Sequence, residues 1–215
     1  MKPLFEGLNE LYKNKISHLD IKVNNIVIHK GVFKYIDFGL SSKLSEIEHF
    51  KSRSISEFNN SRFYLWYPTE YIYSQASKSD LKNEISNMKR RKYFEKGEKI
   101  HKLFNVDFRT SNMRSMTDTN NTLLNSMIDT YSLGIMIPYL FVDYHQTKHI
   151  NKSMFLKDLF ELLGKMCNTN YKERVKPDEC LKLYNNLINK YSTLKSGSKT
   201  KKKSKKSKKS KKKTR

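Results

Sequence analysis

The 22 residues from His18 to Gly39, H-L-D-I-K-V-N-N-I-V-I-H-K-G-V-F-K-Y-I-D-F-G, decide how the rest of the chain is read. They hold five chemically loaded positions: His18, Asp20, Lys22, Asn25 and the triplet Asp37-Phe38-Gly39. Between Asn25 and Asp37 lie two short apolar runs, Ile26-Val27-Ile28 and Val32 to Ile36, joined by His29-Lys30-Gly31. Two such runs around a glycine predict a β-hairpin.

A hairpin brings its ends together, so Asn25 and Asp37 become neighbours, with Asp20 and Lys22 on the loop that feeds the same point. An amide oxygen and a carboxylate are hard ligands suited to Mg²⁺, which takes few protein ligands and completes its shell with phosphate oxygens and water. A second carboxylate can orient or deprotonate a hydroxyl, and an ammonium can neutralise charge on a phosphoryl group in transfer. This donor set points to phosphoryl transfer from a Mg-nucleotide.

The segment resembles the catalytic loop and metal-binding triplet of eukaryotic-type protein kinases, H-R-D-L-x-x-x-N followed by D-F-G. The resemblance implies ATP and Mg²⁺ as cofactors. It implies Asp20 as the catalytic base, Lys22 as the contact to the transferred phosphate, and Asn25 and Asp37 as metal ligands, with Lys22, Asn25 and Asp37 binding the nucleotide. His18 is then a packing residue beneath the loop, with Phe38 beside it. Lysine two places after the aspartate is the Ser/Thr-directed pattern, so a protein serine or threonine is the implied substrate. Leu19 stands where the family has an arginine that grips an activation-segment phosphate, so that mode of regulation is not expected.

Three further landmarks follow in the family's order. F-Y-L-W-Y-P-T-E-Y, residues 63–71, is similar to the A-P-E region, with Glu70 at the Glu position and Pro68 shifted by one place. Ile128 to Phe141, I-D-T-Y-S-L-G-I-M-I-P-Y-L-F, resembles the D-x-W-S-x-G helix of the large lobe, with Asp129 and Gly134 in place. A helix apolar on nearly every side belongs in a core, and the resemblance implies that Asp129 binds backbone of the catalytic loop. Arg174 with Pro177-Asp178-Glu179-Cys180-Leu181 is similar to R-P-x-x-x-E-L-L, which implies an Arg174–Glu70 pair.

The remaining elements follow from periodicity. Leu4, Phe5, Leu8, Leu11, Tyr12 and Ile16 predict an amphipathic helix over the first 16 residues, and Phe155 to Cys167 predict a core helix. Gly39 to about Ser61 reads as an exposed loop, with Ser41, Ser42, Ser45, Ser52, Ser54 and Ser56 as solvated serines or phosphoacceptors. Phe63, Tyr64, Trp66 and Tyr67 form a substrate platform or cap the core, the core being favoured because large aromatics bury well. Residues 75–126 read as an insertion, with a helix near 79–91 and a basic cluster Lys89-Arg90-Arg91-Lys92. His145 and His149 are spaced for Zn²⁺ on a helix, but no third ligand completes a set.

Composition bounds the rest. The net charge of +22 is uneven: Lys195 to Arg215 hold 12 Lys and one Arg without an acid, leaving 22 − 13 = +9 for the preceding 194 residues. Such a tail has no apolar side chain and repels itself, so residues 193–215 are expected to be disordered and to bind nucleic acid or other polyanions weakly by charge alone. Cys167 and Cys180 lie in apolar patterns and read as buried free thiols. No run spans a bilayer and no signal peptide is evident, which predicts an intracellular protein, cytoplasmic or nuclear.

The predicted fold is mainly α with a small β-hairpin, a kinase-like large (C-terminal) lobe over 1–192 with the small lobe missing. The seven glycines are too scattered for G-x-G-x-x-G, and no V-A-I-K occurs. The expected function is a truncated or divergent protein Ser/Thr kinase, either a fragment of a split or mis-started gene or a chain that borrows a small lobe from another polypeptide. The alternatives are a pseudokinase or scaffold without a nucleotide-clamping lobe, or a basic polyanion-binding protein. The abundance of Lys, Asn and Ile, the lost arginine and the long insertion look like divergent kinases of large DNA viruses.

Overall fold

The computed structural model describes residues 1–59, 64–68, 71, 99–100, 102, 121–143, 150, 152–168 and 170–210. Among these, helices dominate and the strands are short and antiparallel.

Helix α1 (Lys2–Lys13) begins with Pro3 in its first turn, where the missing N–H costs nothing. Leu4, Phe5 and Leu8 are buried on one face. The helix stops at Lys13 because Lys15 turns into the left-handed region, with φ 56°. Ile16, expected as its last apolar position, instead opens strand β1 (Ile16–Ser17). After the loop come β2 (Ile26–His29) and β3 (Val32–Tyr35), paired as a hairpin with Ile26 opposite Tyr35 and His29 opposite Val32. Lys30 and Gly31, at φ 50° and 75°, give the turn whose twist matches the strands. Strand β4 (Ser42–Lys43) returns to pair with β1.

The expected exposed loop after Gly39 is corrected by helix α2 (Ile47–Asn59). Its inward positions are Phe50, Ser54 and Glu57, spaced at i, i+4 and i+7. Two of the three are polar, which hid the helical period from a reading of apolar residues.

Helix α3 (Asn121–Asp143) is the centre of the molecule, with Leu124, Ile128, Leu133 and Ile135 all buried. It starts inside the range assigned to the insertion, so residues 121–126 belong to the core helix. Ile100, also from that range, is fully buried beside Leu65, Tyr131, Ile135 and Cys167. The expected helix near 79–91, the basic cluster 89–92, Phe63, Glu70, His145 and His149 lie outside the described residues.

Helix α4 (Met154–Met166) is capped by Ser153, whose Oγ accepts from the Leu156 N–H at 3.3 Å. Helix α5 (Pro177–Ser210) starts with Pro177 followed by Asp178 and Glu179, a sequence suited to the positive end of a helix. Phe5 of α1 stacks on Tyr184 of α5 at 4.3 Å, closing the first helix against the last. Where a disordered tail was expected beyond residue 192, the backbone stays helical as far as Ser210. A helix already nucleated by packing propagates without paying the nucleation cost again. Residues 211–215 lie outside the described residues.

Cys167 and Cys180 are free and buried, and burial pushes the Cys180 thiol up. Among the described residues no helix is long and apolar enough to cross a membrane.

Gly134 marks the tightest approach in the core. A Cβ there would stand 2.8 Å from both Cys167 Sγ and Met166 Cβ. Gly134→Ala therefore overpacks the α3–α4 contact, and urea unfolding should show a loss of about 1–3 kcal/mol in spite of alanine's better helix propensity. A stabilised variant would contradict the packing described.

Candidate active site

The loop from His18 to Asn25 is fixed first by its backbone. Asp129 on α3 accepts from the His18 N–H at 2.6 Å, the Leu19 N–H at 2.9 Å and the Ser17 hydroxyl at 3.2 Å. Two successive amides can face one carboxylate because Leu19 takes a left-handed conformation, φ 59°, which costs a non-glycine residue about 1 kcal/mol or more. Leu19 is itself buried, so the position the resemblance assigns to an arginine is filled by an apolar anchor. Burial pushes the Asp129 carboxyl above its ordinary value, and the His18 and Leu19 amides and the Ser17 hydroxyl pull it back down. With the raised value prevailing, this group lets stability fall as pH rises from the ordinary carboxylate range to the raised value.

Within the loop so held, three of the expected site residues touch. Asp20 Oδ2 accepts from Lys22 Nζ at 2.6 Å and from Asn25 Nδ2 at 2.8 Å. Asn25 Nδ2 also donates to the Asp20 carbonyl at 3.0 Å. Two consequences follow from this orientation. The Asn25 nitrogen is committed to Asp20, so its carbonyl oxygen Oδ1 is the atom left to face a cation. Both bonds to the Asp20 carboxylate fall on Oδ2, so Oδ1 takes part in neither. Asp20 and Asn25 are both buried, 5% exposed each, at the floor of the site.

Asp37 arrives from the hairpin. The Ile36 N–H donates to the Asn25 carbonyl at 3.0 Å, continuing the β2–β3 pairing by one step and setting Ile36 opposite Asn25, with Asp37 the next residue of the chain. The Asp37 side chain is exposed, and its Oδ1 accepts only a long bond from the Gly39 N–H, 3.4 Å, rather than touching Asp20, Lys22 or Asn25. Behind it, His18 Nε2 lies 3.2 Å from the Ile36 carbonyl, and its ring packs on Phe38 at 4.6 Å. His18 and Phe38 thus take the packing places that the resemblance implied.

The donor set fits the implied metal. Among the described residues no cluster of three or more His, Cys, Asp or Glu side chains forms an all-protein cage. One amide oxygen and one exposed carboxylate at the mouth of a loop suit Mg²⁺ completed by phosphate oxygens and water.

Around this floor lies a buried polar layer that the sequence did not disclose. Arg53 Nη2 donates to Tyr67 OH at 3.0 Å and to Glu57 Oε1 at 3.2 Å, and Ser54 Oγ donates to the Tyr71 carbonyl at 2.6 Å. These bonds tie α2 to the aromatic segment, as Ser132 Oγ does from α3 by donating to the Trp66 carbonyl at 2.7 Å. Burial pushes the Tyr67 hydroxyl well up, Arg53 opposes it, and the Asp20 carboxylate adds to the rise, so the aromatic segment stands beside the site. Leu65 and Tyr67 are core, whereas Tyr64 is 43% exposed and stacks flat on Trp66. Ser42 and Ser54 are buried, which removes them as phosphoacceptors.

Arg174 is 3% exposed, donates to the Asn168 and Met127 carbonyls at 2.8 to 3.2 Å, and lies over the Tyr131 ring. Its expected partner, Glu70, lies outside the described residues.

Residues 1–81 match the protein kinase domain family. A probable cyclin-dependent kinase 9 of Caenorhabditis elegans is 44% identical over 50 residues, which make up 23% of this chain and 10% of that protein. A serine/threonine-protein kinase of Kluyveromyces lactis is 55% identical over 42 residues, 19% of this chain and 6% of that protein. The chain thus aligns with no more than 10% of either relative's length. No solved structure matches it. Over these residues the chain is similar to eukaryotic-type serine/threonine protein kinases.

Asp129→Asn replaces an acceptor oxygen by an amide group that confronts donors, without changing size. The expected result is a loss of about 2–4 kcal/mol in urea unfolding and faster hydrogen exchange at the Leu19 amide. Unchanged exchange at Leu19 would show that the loop is held by something else.

Proposed function

We propose that the chain is the large-lobe part of a protein Ser/Thr kinase, transferring the γ-phosphoryl group of ATP to a protein hydroxyl. The observation that carries this reading is the cluster of Asp20, Lys22 and Asn25, bonded at 2.6 and 2.8 Å on a loop held by Asp129. Asp20 Oδ1 accepts the proton of the incoming serine or threonine hydroxyl. Lys22 swings from Asp20 to the transferred phosphate and neutralises its charge. Asn25 Oδ1 and the Asp37 carboxylate are the groups that would hold Mg²⁺, which would supply positive charge to offset that of the ATP phosphates.

A covering segment is part of this reading. Val27, Ile28, Val32, Ile36 and Phe38 are between 36% and 67% exposed around the hairpin, a cluster of apolar surface at the edge of the site. A phosphate-clamping small lobe, from this protein or from another chain, would bury it. A kinase-like scaffold is the second reading, favoured by the lack of any G-x-G-x-x-G in these 215 residues. We place the protein inside the cell, in the cytoplasm or nucleus, as a kinase acting on proteins requires.

Phosphate transfer from radiolabelled ATP to a mixed protein substrate, with Mg²⁺ and with EDTA, tests the proposal. Activity should require Mg²⁺ and fall by 10²-fold or more, as an order of magnitude, in Asp20→Asn. Activity retained in Asp20→Asn would refute the assigned base. Transfer absent from the chain while Mg²⁺-ATP still raises its melting temperature would favour the scaffold.

A further inference from the structure

Helices α4 and α5 meet over a groove that the candidate active site does not use. Met154 and Phe155 at the start of α4 and Ile188, Tyr191 and Ser192 of α5 line it, with Ser153 beside them, around a volume of about 580 Å³. Ligand sites commonly enclose roughly 300–1,000 Å³. Its shape follows from the width of the two apolar stripes. Leu159, Leu163 and Met166 of α4 and Cys180, Tyr184 and Leu187 of α5 fill the core, whereas Phe155, Ile188 and Tyr191 are only half-buried at its edge. Phe155 and Tyr191 pack edge to face, ring centres 5.5 Å apart, and make an aromatic floor. Met154 overhangs it at 72% exposure, the highest of the large apolar side chains among the described residues.

The surroundings of the groove are basic. Lys152 and Lys157 are exposed before and after Met154 in the chain, and Lys190 is exposed next to Tyr191. The nearby acid, Asp158, accepts from Lys190 Nζ at 2.6 Å and from the Tyr191 hydroxyl at 2.8 Å, so its charge is already met. Glu161, further along α4, faces Lys165 at 3.2 Å. From Lys182 onward the sequence contains no acid at all.

We propose that this groove docks an acidic amphipathic helix of a partner protein, its apolar side chains on Phe155 and Tyr191 and its carboxylates toward Lys152 and Lys157. Charge and shape select this occupant. An apolar groove between two helices receives the apolar face of a third, and basic side chains beside it favour a partner whose polar face is acidic. A second copy of this chain would set the same lysines against one another. A bilayer of anionic lipid is flat, so it meets Met154 on the rim and not the aromatic floor between the helices. The inference is independent of phosphate transfer by the body.

The probe is a fluorescein-labelled synthetic peptide of about 14 residues, with leucines at helical spacing and glutamates between them, titrated into the full chain and read by fluorescence anisotropy. A control peptide carries serine at each leucine position and keeps every glutamate. The lysines beyond Ser192 attract both peptides by charge alone, so the difference between the two reads the groove. The leucine peptide should bind about tenfold more tightly than the serine peptide. Met154→Glu, at an exposed position, should weaken the leucine peptide by roughly tenfold while the melting temperature stays the same, and Lys157→Glu should weaken it as well. Equal affinity for the two peptides, or unchanged affinity in Met154→Glu, would reduce the contact to the basic segment and overturn the proposal. So would preferential binding to phosphatidylserine vesicles that Met154→Glu abolishes, or a dimer in sedimentation that the same variant dissociates; these assign the groove to a membrane or to a second copy.

Discussion

One buried carboxylate sets the geometry of everything else. Asp129 joins the centre of α3 to the loop it faces by three bonds of 2.6 to 3.2 Å from Ser17, His18 and Leu19. A hydrogen bond to a charged group contributes about 1.5–3 kcal/mol net, enough to offset both the left-handed backbone at Leu19 and much of the burial of the charge. The contact spans more than a hundred residues of sequence, so the loop's shape depends on where the packing of α3 sets Asp129. The site is therefore a product of the core rather than a local feature of the loop.

The site then divides into a buried floor and an exposed lip. Asp20 and Asn25 are almost closed off from solvent and fix each other's orientation, and Lys22 completes the triad from its edge. Asp37 stands in solvent at the end of the hairpin, connected to the floor through the Ile36–Asn25 backbone bond. An exposed carboxylate at this point is open to a cation arriving from solvent. Around the floor, Arg53 and Arg174 each join several groups, Arg53 stitching α2 to the aromatic segment and Arg174 closing the α4–α5 connection onto α3. Removing either guanidinium would leave buried acceptors without donors.

Much of this was legible in the chain because strong periodicity and turn chemistry agreed. The hairpin was visible from two apolar runs around Lys30-Gly31, α3 from its nearly continuous apolar character, and α4 from leucines at helical spacing. The role of Asp129 toward the loop followed from a resemblance and is met by its bonds to His18 and Leu19. Helix α2 was missed because the residues it buries are Ser54 and Glu57 beside a single Phe50, and the groups that Ser54 and Arg53 bond, Tyr71 and Tyr67, come from a segment more than ten residues on. No local pattern encodes a network of that kind. The run of α5 to Ser210 was missed for the opposite reason: composition speaks against folding, while continuity with a packed helix acts in its favour.

The central claim is that Asp20, Asn25 and Asp37 surround one metal-bound triphosphate, and paramagnetic broadening reads this directly. Mn²⁺ with ATP, added to isotopically labelled protein in place of Mg²⁺, should broaden the amide resonances of Asn25 and Ile36 to Gly39 first, leaving those of α4 sharp. Broadening centred elsewhere, or confined to Asp37 with Asn25 untouched, would contradict the account.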